Sequence, residues 1–245
     1  MTDNTKVPVK GLQDFVAKLR EAAGDNLVSV VLYGSAVSGG FDQYSDLNLL
    51  CVLRDLSYPA LERLSPAITW WSKQKQRMPL LTTPGELERC TDVFAIEFLD
   101  MKANYQVLHG EDVLRDLQVP TQLLRAELEY ELREKLILLR QHLLAAGGDD
   151  GKMWHLLVRS LPSFTTLFRH TLMVAGQPVP VGKRESVEAA AKLVGFDPGG
   201  FLQVLDIRER NADPRKLNLR DTAVHYLAAV EQVTAAVDRM LDSPS

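Results

Sequence analysis

A strand, a Gly-Ser turn and a second strand of alternating character constrain this chain more than any other stretch. Val30-Val31-Leu32-Tyr33-Gly34-Ser35 is followed, after a short gap, by Ser45-Asp46-Leu47-Asn48-Leu49-Leu50. Val28 to Tyr33 is nearly all apolar and β-branched, the pattern of a strand covered on both faces. In the following run side chains alternate with period 2. Asp46, Asn48, Leu50 and Val52 therefore share one face, and Leu47, Leu49, Cys51 and Leu53 the other. Polar groups gathered beside a glycine turn are suited to holding a phosphate and a metal ion.

The surroundings predict an α/β first half. Val9, Leu12, Phe15, Val16 and Leu19 recur at helical spacing, so a helix is expected to run to Gly24. Ala36–Val37 begin a short helix that Gly39-Gly40 close. Tyr58 to Gln76 read as a helix carrying Trp70 and Trp71, Leu80 to Thr82 as a brief strand, and Pro84 opens a short helix. Phe94 to Met101 read as a third strand, with Phe94, Ile96 and Phe98 on one face and Ala95, Glu97 and Leu99 on the other. After Pro120 the pattern changes to helix throughout. Leu124, Leu128, Leu132, Leu136, Leu139 and Leu143 form a seam at spacings of three and four. A helix over Met153–Ala175 contains Pro162, expected to kink or restart it, and shorter helices follow before a last one over Asp221–Leu241. The division expected is an α/β domain over 1–119 and an all-α bundle over 120–245.

Transfer of a nucleotidyl group from a nucleoside triphosphate needs two things at one point. Backbone N–H groups must cradle the phosphates, and glycine allows that close approach. Carboxylates must hold Mg²⁺, and two of them at i and i+2 on a strand project side by side. Here Gly34-Ser35, ten residues (Ala36 to Ser45) and Asp46-Leu47-Asn48 make up the pattern. It resembles the polymerase-β-like nucleotidyltransferase superfamily, whose signature is an apolar strand, Gly-Ser or Gly-Gly, a gap of this size, and Asp-x-Asp or Asp-x-Glu. The helical second half looks most like the bacterial antibiotic nucleotidyltransferases, of the kanamycin and streptomycin type.

The resemblance implies that Gly34 and Ser35 bind the triphosphate and that Asp46 ligates Mg²⁺ or Mn²⁺. Asn48 stands in the second carboxylate position. The family's third carboxylate comes from a later strand; Glu97 is the candidate, with Asp100 the alternative on the opposite face. Asp46, Asn48 and Glu97 thus form the expected catalytic set, and Asp46 and Glu97 the metal ligands. Asn offers one neutral carbonyl oxygen where a carboxylate offers two charged ones. Losing one such electrostatic group would cost at least ~10²–10³ in rate. Related enzymes often place a basic residue in the segment after the turn; Ala36-Val37-Ser38-Gly39 has none.

Other features weigh less. Arg220 and His225 have a spacing that resembles the Arg-Asp-x-x-x-His motif of helical ribonuclease domains, but a solvated helix start is the preferred reading. Lys183-Arg184 read the same way, the Trp70-Trp71 pair reads as core or interface, and the remaining histidines have no metal spacing. The net charge of −4 and pI near 5.8 do not suit a general nucleic-acid binder. Two distant cysteines, a polar N-terminus and no apolar run long enough to span a bilayer point to a reducing cytoplasm. The expectation is a protein that binds a nucleoside triphosphate and transfers its nucleotidyl group to an unidentified hydroxyl or amine. The alternatives are the same fold retained as a nucleotide- or partner-binding module without turnover, and a subunit of a toxin–antitoxin-like pair. A homodimer remains open.

Overall fold

A computed structural model describes residues 11–38 and 45–240. The chain forms two compact units, Met1–Pro120 and Thr121–Ser245. The first is a four-stranded mixed sheet with helices, and the second is helical.

In the first unit, β1 (Leu27–Tyr33) is wholly buried and lies in the interior of the sheet. Its neighbours are β2 (Asn48–Leu53) and β4 (Tyr105–Gly110), both antiparallel to it, and β3 (Leu80–Thr82) runs parallel to β2. The order is β3-β2-β1-β4. The period-2 reading of β2 describes the packing. Leu47, Leu49, Cys51 and Leu53 join Val30 and Leu32 beneath α1 (Leu12–Ala23) and α2 (Tyr58–Lys73). Leu50 and Val52 join Val28, Val31 and Tyr33 in a second core. Register shifts against both neighbours interrupt the alternation in β1, so Val28 and Val31 fall on one face despite their odd spacing.

One predicted strand is a helix. Phe94–Met101 lies mainly in α4 (Ala95–Ala103), which follows α3 (Pro84–Arg89). Its buried positions, Ala95, Ile96, Phe98 and Met101, follow a helical rather than an alternating pattern, and Phe94 is exposed. The apparent alternation was short enough to fit either period, and Ala, Glu, Leu, Met and Lys favour the helix. The strand at this point is β4, farther along the chain. Helical geometry also overturns the assignment of Glu97 and Asp100 to opposite faces, because residues three apart on a helix are neighbours.

The second unit comprises α5 (Leu124–Ala146), α6 (Asp150–Val174), α7 (Lys183–Val194), α8 (Gly199–Arg208) and α9 (Leu219–Arg239). The leucine seam of α5 is buried except for Leu143, which is half-buried. Pro162 neither ends nor restarts α6, which runs through it as one helix. Tyr226 of α9 stacks on Phe201 of α8 with ring centroids 3.9 Å apart. The helices approach so closely there that a Cβ on Gly200 would stand 2.5 Å from the Tyr226 nitrogen. No described helix is long and apolar enough to cross a membrane.

Candidate nucleotide site

The polar site forms where β1 ends and β2 begins. Tyr33 pairs with Asn48 in the antiparallel register, and Tyr33 belongs to the face that packs toward α4. The chain then turns sharply at Gly34, whose φ of +78° lies in the left-handed region that side chains avoid. Space favours glycine as well, since a Cβ there would meet the Asn48 amide nitrogen at 3.2 Å and the amide would have to give way slightly. A single 3₁₀ turn, Gly34–Ala36, follows, with the Val37 and Ser38 amides donating to the Gly34 carbonyl at 3.0 and 3.1 Å. The Gly34 amide donates to the Asn104 carbonyl at 3.0 Å, so it is already engaged in holding the turn to the end of α4. The first N–H groups inside a helical turn have no partner within it. Ser35, half-buried, and Ala36 are therefore better placed than Gly34 to offer amides to a phosphate. The predicted Gly39-Gly40 closure lies outside the described residues.

Asp46 is exposed just ahead of β2, and Asn48 is half-buried as its first residue. Glu97 is exposed on α4, where its Oε1 accepts a hydrogen bond of 2.8 Å from the Tyr33 hydroxyl. Burial, reinforced by the Glu97 charge, pushes the Tyr33 phenol above its ordinary range, so it remains a donor to that carboxylate. The link between β1 and α4 is thus made by a tyrosine that the sequence reading passed over. Its signal was present: Tyr33 immediately precedes the glycine at the end of the apolar strand.

Arg77 is the second residue that was missed. Its Nη1 donates to the Asn48 Oδ1 at 3.3 Å, and its charge favours the ionised form of Tyr33, opposing the larger effects of burial and Glu97. Arg77 lies between α2 and β3, and it is placed through the core. The Trp71 indole Nε1–H donates to the Arg77 carbonyl at 2.9 Å, while the Trp71 ring is fully buried and stacked on Phe15 at 4.3 Å. The Trp71 half of the tryptophan pair is therefore core. Trp70 is half-buried, with the Lys18 ammonium 5.2 Å from its ring. No local sequence pattern marks Arg77, because the bond that positions it runs from a side chain six residues earlier.

A divalent cation arriving on a triphosphate needs one or two protein carboxylates. Asp46 fits that role by its chemistry, and Glu97 offers a carboxylate with one oxygen already hydrogen-bonded. The position of Asn48 does not fit a second cation, since its carbonyl oxygen receives a guanidinium. Among the described residues, no three His, Cys, Asp or Glu side chains gather as a metal site. On the side away from β1, β2 is flanked by β3, whose residues are Leu80, Leu81 and Thr82, none a carboxylate.

The other candidates have local partners. His225 lies 3.3 Å from the Asp197 carboxylate, and Arg184 pairs with Asp206 and Glu209 at 2.6 and 3.2 Å. Arg220 is exposed at the start of α9. His142 and His155 line a shallow groove with Lys152 and Arg159.

Residues 12–103 match the nucleotidyltransferase domain family, and the match spans the turn, Asp46, Asn48, Arg77 and Glu97. That match covers most of the first unit and supports the likeness to the polymerase-β-like superfamily. Over 52 residues, 21% of its length, the chain is 35% identical to a Methanocaldococcus jannaschii protein named "Putative protein adenylyltransferase MJ1305", and spans 35% of that protein. In fold it is similar to the spectinomycin adenyltransferase AAD(9) of Enterococcus faecialis, solved with ATP and spectinomycin. That likeness has a TM-score of 0.54 at 16% identity and covers 89% of this chain and 98% of the other. A toxin–antitoxin structure with AMP-PNP aligns at a TM-score of 0.33, too low to inform the fold.

Proposed function

We propose that the first unit binds a nucleoside triphosphate at the Gly34–Ala36 turn and transfers its nucleotidyl group to a hydroxyl or amine acceptor. The acceptor atom would attack the α-phosphorus, the bond to the bridging oxygen would break, and pyrophosphate would leave. Asp46 would hold Mg²⁺ or Mn²⁺ together with the phosphates, and that ion would neutralise charge on the reacting group. Glu97, linked to the buried strand through Tyr33, is the second carboxylate available. The observation that carries the reading is the positive-φ Gly34 turn packed against Asn48, two residues beyond Asp46. The names of the similar proteins favour ATP as the nucleotide and leave two acceptor classes, an antibiotic hydroxyl and a protein side chain.

The test has two stages. Thermal melts with each nucleoside triphosphate, with and without Mg²⁺ or Mn²⁺, should show stabilisation; a ligand at 100 times its Kd adds about 2.7 kcal/mol. Transfer of label from α-labelled ATP to spectinomycin-type compounds and to protein then identifies the acceptor class. If no triphosphate stabilises the protein, the nucleotide reading is wrong. A second reading, binding without turnover, is favoured by the guanidinium on Asn48; stabilisation without label transfer to any acceptor would support it.

A further inference from the structure

We infer that Arg77 takes the place of a second divalent cation, supplying a fixed positive charge to the triphosphate. This rests on the nucleotide-binding reading above and goes further, because it makes Asn48 the dedicated partner of that charge.

Three observations converge. The Asn48 side chain, where a metal-binding carboxylate would stand, accepts a hydrogen bond from the Arg77 guanidinium at 3.3 Å. The backbone of Arg77 is fixed by the fully buried Trp71 through a 2.9 Å bond to its carbonyl. The strand that Arg77 leads into lies parallel to β2, with Leu50 opposite Leu80, so the approach to β3 runs beside the start of β2. That approach brings a cation, and β3 brings no carboxylate.

The amide has a physical logic. A carboxylate at position 48 would hold Arg77 in an ion pair and cancel its charge. A neutral amide orients the guanidinium through one weaker bond and does not itself neutralise the charge. Arginine has five N–H donors, so one bond to Asn48 leaves others for phosphate oxygens, and its planar fork matches phosphate well. The side chain is exposed and can reach a ligand.

Calorimetric titration of ATP, in EDTA and in Mg²⁺, into the full chain and three variants tests this. The wild type should bind in EDTA within about tenfold of its affinity in Mg²⁺. Arg77→Gln keeps the backbone carbonyl that Trp71 binds, so it should fold, and it should lose about tenfold or more in EDTA, as expected for one charge-assisted contact. Asn48→Asp alone should weaken binding in both conditions, because the introduced carboxylate would capture Arg77. Asn48→Asp combined with Arg77→Gln should bind only with Mg²⁺. The inference is overturned if Arg77→Gln matches the wild type in EDTA, or if Asn48→Asp alone strengthens Mg²⁺-dependent binding; ATP binding by the wild type in Mg²⁺ would still leave the nucleotide reading standing. Absence of ATP binding in every variant and condition overturns both.

Discussion

The two faces of one sheet are built for different ends, from the same two strands. Beneath α1 and α2, Val30, Leu32, Leu49 and Cys51 pack with Phe15 and Trp71 in an entirely apolar layer. On the opposite face, Val31, Leu50 and Val52 give way toward one end to Tyr33 and Asn48. The polar side chains of the candidate site sit where that second core stops, at the end of the strands. The first face nevertheless decides what the second can do. Trp71 belongs to the apolar layer, yet its indole N–H anchors the segment that delivers Arg77 to Asn48.

The strongest way to break this division is to remove the anchor. Trp71→Ala should cost about 3–5 kcal/mol, the range for losing a large aromatic from a core. Cys51 provides a readout: it is fully buried, and burial pushes its thiol up to about 12. It should resist thiol reagents in the wild type and become labelled in the variant. If Trp71→Ala melts as the wild type does, the apolar face is not what supports the site.

Gly34→Ala attacks the turn itself. A side chain at positive φ costs about 1–2 kcal/mol, and the new methyl would also press on Asn48. Denaturant unfolding should register the cost, and triphosphate binding should fall by more than stability alone explains. Trp71→Phe sharpens the comparison, since it keeps an aromatic against Phe15 but deletes the bond to the Arg77 carbonyl. A loss of about 1 kcal/mol in stability is expected, with weakened triphosphate binding in EDTA. Unchanged binding would show that Arg77 holds its place without the core.

Smaller effects follow. Tyr33→Phe removes the donor to Glu97 and should cost about 0.5–1 kcal/mol in chemical denaturation, because an exposed Glu97 regains water. The smallest concerns the Thr83–Glu86 capping box at the start of α3, outside both faces. The Thr83 amide and hydroxyl hold the Glu86 carboxyl below its usual range. A depressed folded-state value stabilises above the ordinary carboxylate range and is lost as pH falls through the lowered value. Melting temperatures of wild type and Glu86→Gln should therefore differ slightly at neutral pH and converge in acid.

Much of the fold was legible in the sequence. β1 showed as an unbroken apolar run, β2 as an alternation, and α5 as a leucine seam, because burial on two faces, one face or a helical stripe leaves those periods in the chain. The Phe94–Met101 segment misled because a few apolar residues in a short run satisfy either period. Its true form depended on which partner covered it. Glu97 was named on the supposition of a strand, and the structure instead puts it on a helix, tied to Tyr33.

By itself, the sequence determined the strand–turn–strand core and set Asn48 two residues after Asp46 on the same face, since both are local patterns read along one or two strands. That a carboxylate would stand at position 48 is what the resemblance implies. Only tertiary structure decided what Asn48 faces. Arg77 is 29 residues away along the chain, and it reaches that amide because a parallel strand pairing and one buried indole bond converge on the same edge of the sheet. Contacts of that kind leave no period in a sequence, because they are set by where the elements pack.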